Sequence, residues 1–179
     1  MRNKQLFTRN HETTKLDLYR QDFVVSWFRG FVLMIAVAAW ACAPAPQTAN
    51  TPKAGSTMPS SIIDPYLKIQ TALAEDRMDE IRANAGSIAT AATALGAPAM
   101  KIDTAAIQLA SATELDDARD KFGTVSDAIV TYMNGLHLTP PEGVRKAYCP
   151  MALKPWLQKG DTLANPYYGS SMPTCGEFQ

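Results

Sequence analysis

Four sulfur-bearing side chains near the C-terminus are the residues whose chemistry stands out. Cys149 and Met151 are two positions apart, and Met172 and Cys175 are three apart. Thiolate and thioether are soft donors, and in combination they select Cu(I) over harder ions. Between the pairs lies Asn165-Pro166-Tyr167-Tyr168-Gly169, which has the composition of a turn: proline sets the entry and glycine is free to take a positive φ. Such a turn can bring the two pairs together, with Trp156, Tyr167 and Tyr168 screening the site from water. The same cysteines allow a second reading. In an oxidising compartment Cys149 and Cys175 can close a disulfide around 25 intervening residues. The chain-entropy model values such a closure at on the order of 3 kcal/mol, and the bond would remove both thiolates as ligands. Methionines alone more often fill cores than bind metal, so a metal site here depends on the cysteines.

Other chemistries find little support. His137 follows a helical segment alone, and one histidine does not make a metal site. Asp116, Asp117 and Asp120 crowd one helix end, where solvated charge near the positive N-terminus is the default. There is no Gly-rich phosphate loop, no two-histidine motif, no Ser-His-Asp set and no Cys-x-x-Cys spacing of the kind that lowers a thiol pKa. The expectation is a protein that is not an enzyme.

Charge is distributed unevenly. The chain is formally neutral, with 17 basic and 17 acidic residues. Residues 1–41 hold six of the former and three of the latter, which leaves 11 basic and 14 acidic residues beyond them. No basic face is available there, so nucleic acid is an unsuitable partner. The basic start precedes the apolar run Phe31 to Ala41, which is too short to span a bilayer and suits the core of a secretory signal. The run ends Ala39-Trp40-Ala41-Cys42. This resembles a bacterial lipoprotein signal, which implies lipidation of Cys42 and a periplasm-facing protein held to a membrane by its lipid. A plain cleaved signal or a single membrane anchor are the alternatives.

The elements that must position the sulfurs follow. Residues 42–61 are rich in Ala, Pro, Ser and Thr and read as a flexible tether. Residues 62–138 carry helical signals. Asp64-Pro65 suggests a first helix start, with Leu67, Ile69, Leu73 and Ala74 inward. Asp76 suggests the cap of a second, whose Ile81, Ala85, Ile88, Ala92 and Leu95 step by 4, 3, 4 and 3 along one face. A third runs from about Met100 to Ala112, with Ile102, Ala106 and Leu109 inward. Thr113 suggests the cap of a fourth, with Leu115, Ala118, Phe122, Val125, Ile129, Tyr132 and Leu136 as its stripe and Asn134-Gly135 as its end. Gly123 within it leaves room for a close crossing or for the tail. Short connections between amphipathic helices imply an all-α, up-and-down four-helix bundle. Residues 139–179 contain repeated prolines and many aromatics. They are expected to form an irregular tail packed on the bundle, part of the same domain.

From about Ile63 to Gly176 the chain resembles a family known only as a domain of unknown function. That family occurs alone in bacterial envelope proteins and fused to periplasmic adaptor subunits of Cus-like heavy-metal efflux systems. The resemblance is carried by Arg119, Phe122 and Ser126, then Cys149-Pro150-Met151-Ala152, Trp156-Leu157, Asn165-Pro166-Tyr167-Tyr168-Gly169, and Met172 with Cys175-Gly176. The family's tyrosine before the cysteine stands immediately before it here, at Tyr148. The resemblance implies an association with copper or a related soft metal and, as partner, a heavy-metal efflux adaptor or another envelope protein. The expected ligands are Cys149, Met151, Met172 and Cys175. Arg119, Phe122, Ser126, Trp156, Asn165, Tyr167 and Gly169 are expected to be structural, docking the tail. The competing expectation is a metal-free interaction module, stapled by Cys149–Cys175 and presenting Trp156 and Tyr167 to a partner.

Overall fold

The computed structural model describes residues 50–179. Cys42, the apolar run before it and the first part of the expected tether lie outside the described residues. Four helices come first: α1 (Ser60–Ala74), α2 (Ile81–Leu95), α3 (Met100–Ala110) and α4 (Leu115–Leu136). The strands β1 (Val144–Cys149), β2 (Lys154–Lys159) and β3 (Glu177–Phe178) follow, forming one antiparallel sheet in the order β2-β1-β3. The sheet overturns the all-α expectation: the domain is mixed, helices plus sheet.

Repeated proline argued against regular structure after residue 138, but only one of these prolines falls inside a strand. Pro155 is in β2 opposite Tyr148. Because β2 is an edge strand, the N–H that proline lacks costs no ladder bond when that position faces outward. Pro150 sits in the hairpin turn, where Leu153 takes φ +55 and allows the chain to reverse.

The helices form where apolar spacing demands burial. α2 buries Ile81, Ala85, Ile88, Ala92 and Leu95, the stripe that its spacing predicts. α4 buries Ala118, Phe122, Val125, Ile129 and Tyr132. α1 starts at Ser60, upstream of the expected Asp64-Pro65 boundary, and carries Pro65 internally. The missing Pro65 N–H leaves the carbonyl of exposed Ser61 to solvent, while the earlier start buries Ile62 and Ile63. None of the four helices has a side-chain N-cap bond. In particular, Asp76 does not cap α2, and Thr113 does not cap α4.

Consecutive helices pack on one another, as short connections require, and β2 packs on both α1 and α4. α1 and α4 also touch each other, and the sheet packs against both. Residues 50–58 also belong to the folded body. Asn50 N–H bonds to Ala94 O at 2.9 Å, Thr51 Oγ1 to Leu95 O at 2.8 Å and Met58 N–H to Thr139 O at 2.9 Å. Met58 is buried, so this end of the expected tether is anchored by backbone pairing and one apolar plug.

Candidate functional site

Cys149 ends β1 and is fully buried. Its Sγ accepts two N–H donors: Asn165 Nδ2 at 3.3 Å and the backbone of Ala152 at 3.4 Å. The second bond closes the Pro150–Leu153 turn around the sulfur. Cys175 immediately precedes Gly176 and β3, so pairing of β3 with β1 brings the two cysteines to the same end of the sheet. Both are free thiols. Asn165 Nδ2 also donates to Cys175 O at 2.6 Å. One buried amide thus holds the sulfur of one cysteine and the backbone of the other. Desolvation raises the Cys175 thiol above its ordinary pKa, and the neighbouring Cys149 raises it further.

The methionines are placed differently. Met151 lies in the hairpin turn and is 62% exposed. Met172 is half-buried, and its carbonyl accepts the Cys175 N–H at 3.2 Å. His137 is exposed at the far end of α4. Among the described residues no group of three or more His, Cys, Asp or Glu side chains converges on one point. The donor set brought together is the cysteine pair. Two thiolates suit a soft monovalent ion, and N–H donors on a ligating sulfur orient it and stabilise its charge.

The remaining tail residues hold this pair in place. Asn165 Oδ1 accepts the Tyr167 N–H at 2.8 Å, and the Asn165 backbone N–H reaches Pro173 O at 2.8 Å. Tyr167 Oη donates to Pro155 O at 2.5 Å, and its ring meets Trp156 edge-on at 6.0 Å between centroids. Trp156 Nε1 donates to Gln158 Oε1 at 2.9 Å, and Gln158 also binds Thr162 O and the Ala164 N–H. Gly176, at φ +148, leaves room for Trp156: a Cβ there would lie 2.5 Å from the indole ring.

A second set ties the tail to the helices. Phe122 stacks on Tyr66 at 4.9 Å and lies 6.1 Å from Tyr167. Tyr66 Oη accepts the Leu157 N–H at 3.0 Å and lies 2.8 Å from Ser126 Oγ. Burial pushes the Tyr66 phenol far above its ordinary pKa, which keeps it neutral. Arg119 donates from Nε to Pro166 O at 3.3 Å and from Nη2 to Leu73 O at 3.3 Å, and pairs with Asp76. Asp76 in turn accepts from Ser170 Oγ and the Ser170 N–H. The Ser170 hydroxyl, followed by Arg119, holds the Asp76 carboxyl below its ordinary pKa. Gly169, at φ +51, packs on this pair. Gly123 lies under the Lys154 stem, whose ammonium reaches Asp127 at 2.5 Å. The close crossing expected there is with a strand side chain.

Sequence reasoning missed Tyr66 and misassigned Asp76. Tyr66 shares the 3–4 spacing of Ile62, Ile69 and Leu73 and is buried with them, so its place on the inner face was available as a signal. Asp76 carried no such signal, because its partners come from α4 and the tail. The expected acidic cluster remains at the α4 start: Asp116 is exposed and Asp117 pairs with Lys121 at 2.7 Å. These residues line an open groove of about 490 Å³ with Arg119 and Lys154.

Comparison with protein-family models, with curated proteins and with solved structures finds no match.

Proposed function

We propose that this is a lipid-anchored envelope domain that binds Cu(I) or a related soft ion through Cys149 and Cys175 and serves heavy-metal efflux or resistance. The observation that carries this reading is the pair of free thiols beside one buried amide, with two N–H donors already directed at Cys149 Sγ. A buried thiolate is costly alone; a bound cation neutralises its charge and so offsets that cost. Met172, half-buried, and Met151, exposed in the hairpin turn, would have to swing toward the cysteines to serve as secondary ligands. The partner is an efflux adaptor or another envelope protein able to accept the ion.

The metal-free docking alternative relied on Trp156 and Tyr167 as a presented aromatic surface. Trp156 is 0% exposed and Tyr167 9%, which favours a role for both in holding the tail. Titration of the reduced full-length chain with Cu(I) against a chromophoric chelator tests the proposal. The expected result is one Cu(I) per chain, lost in Cys149→Ser/Cys175→Ser. Equal affinity in that double variant would sink it.

A further inference from the structure

We propose that Cys149 and Cys175 form a directional thiol–disulfide couple, entered through Cys175 and closed by Cys149, whose oxidation shuts the soft-metal site. This inference rests on the Cu(I) reading for its consequence, though the couple can be measured without metal.

The two sulfurs are unequal in access. Cys149 is fully buried beneath the hairpin turn and Asn165, whereas Cys175 is partly open to solvent. An external disulfide can approach only the second. The flanking structure also fixes their relative position. Asn165 Nδ2 bonds to Cys149 Sγ and to Cys175 O, while β1–β3 pairing begins at Tyr148 and Glu177. Gly176 makes the approach feasible, since a Cβ there would lie 2.9 Å from Tyr148 O.

The reaction with a low-molecular-weight disulfide proceeds in two exchanges. Cys175 gives its proton to solvent, a step its raised pKa makes slow, and its thiolate attacks one sulfur of the external disulfide. The external S–S bond breaks, a mixed disulfide forms on Cys175, and one external thiolate leaves. Cys149, deprotonated in turn, attacks Cys175 Sγ. The mixed disulfide breaks, the Cys149–Cys175 bond forms and the second external thiolate leaves. The cysteine pair is oxidised by two electrons and the external disulfide is reduced to two thiols. Neither thiolate then remains for a metal.

The test uses the full chain with Cys42→Ser, so that only two thiols report, and oxidised glutathione as the reagent. Mass spectrometry of quenched samples is expected to show a transient glutathione adduct mapping to Cys175, followed by the internal bond. Cys149→Ser should accumulate the Cys175 adduct, while Cys175→Ser should react at least roughly tenfold more slowly. The oxidised chain should bind no Cu(I), and dithiothreitol should restore binding. A first adduct on Cys149, or a Cys175 adduct that never resolves in the unsubstituted pair, would overturn the couple. Failure of the reduced chain to bind Cu(I) would instead remove the metal reading and leave the adduct sequence standing.

Discussion

Asn165 and Cys149 are joined inside the domain by an N–H···S bond of 3.3 Å, and the same amide nitrogen carries the Cys175 carbonyl. The bond connects the tail turn to the end of β1, so the site and the fold depend on one side chain. Asn165→Ala leaves Cys175 O and the Tyr167 N–H without their partner in a buried setting. Stability is expected to fall by about 2–3 kcal/mol, read from urea denaturation. Cu(I) affinity should fall with it, since Cys149 loses a donor and Cys175 loses its tether.

One glycine is required and another is dispensable. A Cβ on Gly169 would overlap Asp76 and Arg119, and φ is +51. Gly169→Ala should cost roughly 2 kcal/mol or more through strain and separation of that pair. Gly86, exposed within α2, has open space around it. Gly86→Ala should stabilise by about 0.5–1 kcal/mol. Thermal melts of both variants check the contrast, and equal shifts of the same sign would refute it.

Tyr66→Phe removes one oxygen and leaves two groups behind it. The Leu157 N–H and Ser126 Oγ both lose a buried partner, while the ring can still stack on Phe122. The expected loss is about 1–2 kcal/mol. Amide exchange should quicken most at Leu157, which distinguishes local loss from a general weakening of α1.

The Asp76 carboxyl predicts the acid limb of stability. Its folded pKa is depressed, first by Ser170 and then by Arg119, from an ordinary value of 3.8. Folding therefore releases no benefit from this group at low pH. Its contribution is fully present above the unfolded value and fades as pH falls through the lower folded value. Wild-type and Asp76→Asn chains, compared by urea midpoint from near neutral pH downward, should differ by a constant amount until about pH 4 and converge below it. A gap that stays constant through that range would exclude Asp76 as its source.

The helices were largely legible because their information is local. The spacing of Ile81, Ala85, Ile88, Ala92 and Leu95 defines a face within one helix, and burial of that face is what α2 does. The aromatic tail likewise had too much apolar surface to stay in solvent, and Trp156 and Tyr167 are buried. Boundaries were less legible. Asp64, Asp76 and Thr113 have cap chemistry, but burial of Ile62 and Ile63 moved one start and remote partners claimed Asp76.

By its sequence alone this chain determined where its helices run, that its tail folds back and which sulfur residues are available for chemistry. Tertiary structure decided that the tail is a sheet, because Pro155 is acceptable only on an edge strand that other strands define. It also decided that Cys149 and Cys175 share the Asn165 amide while Met151 faces solvent. That selection depends on strand register and on a side chain, Asn165, reaching across from a separate turn. Such contacts join residues distant along the chain, and no local periodicity encodes them.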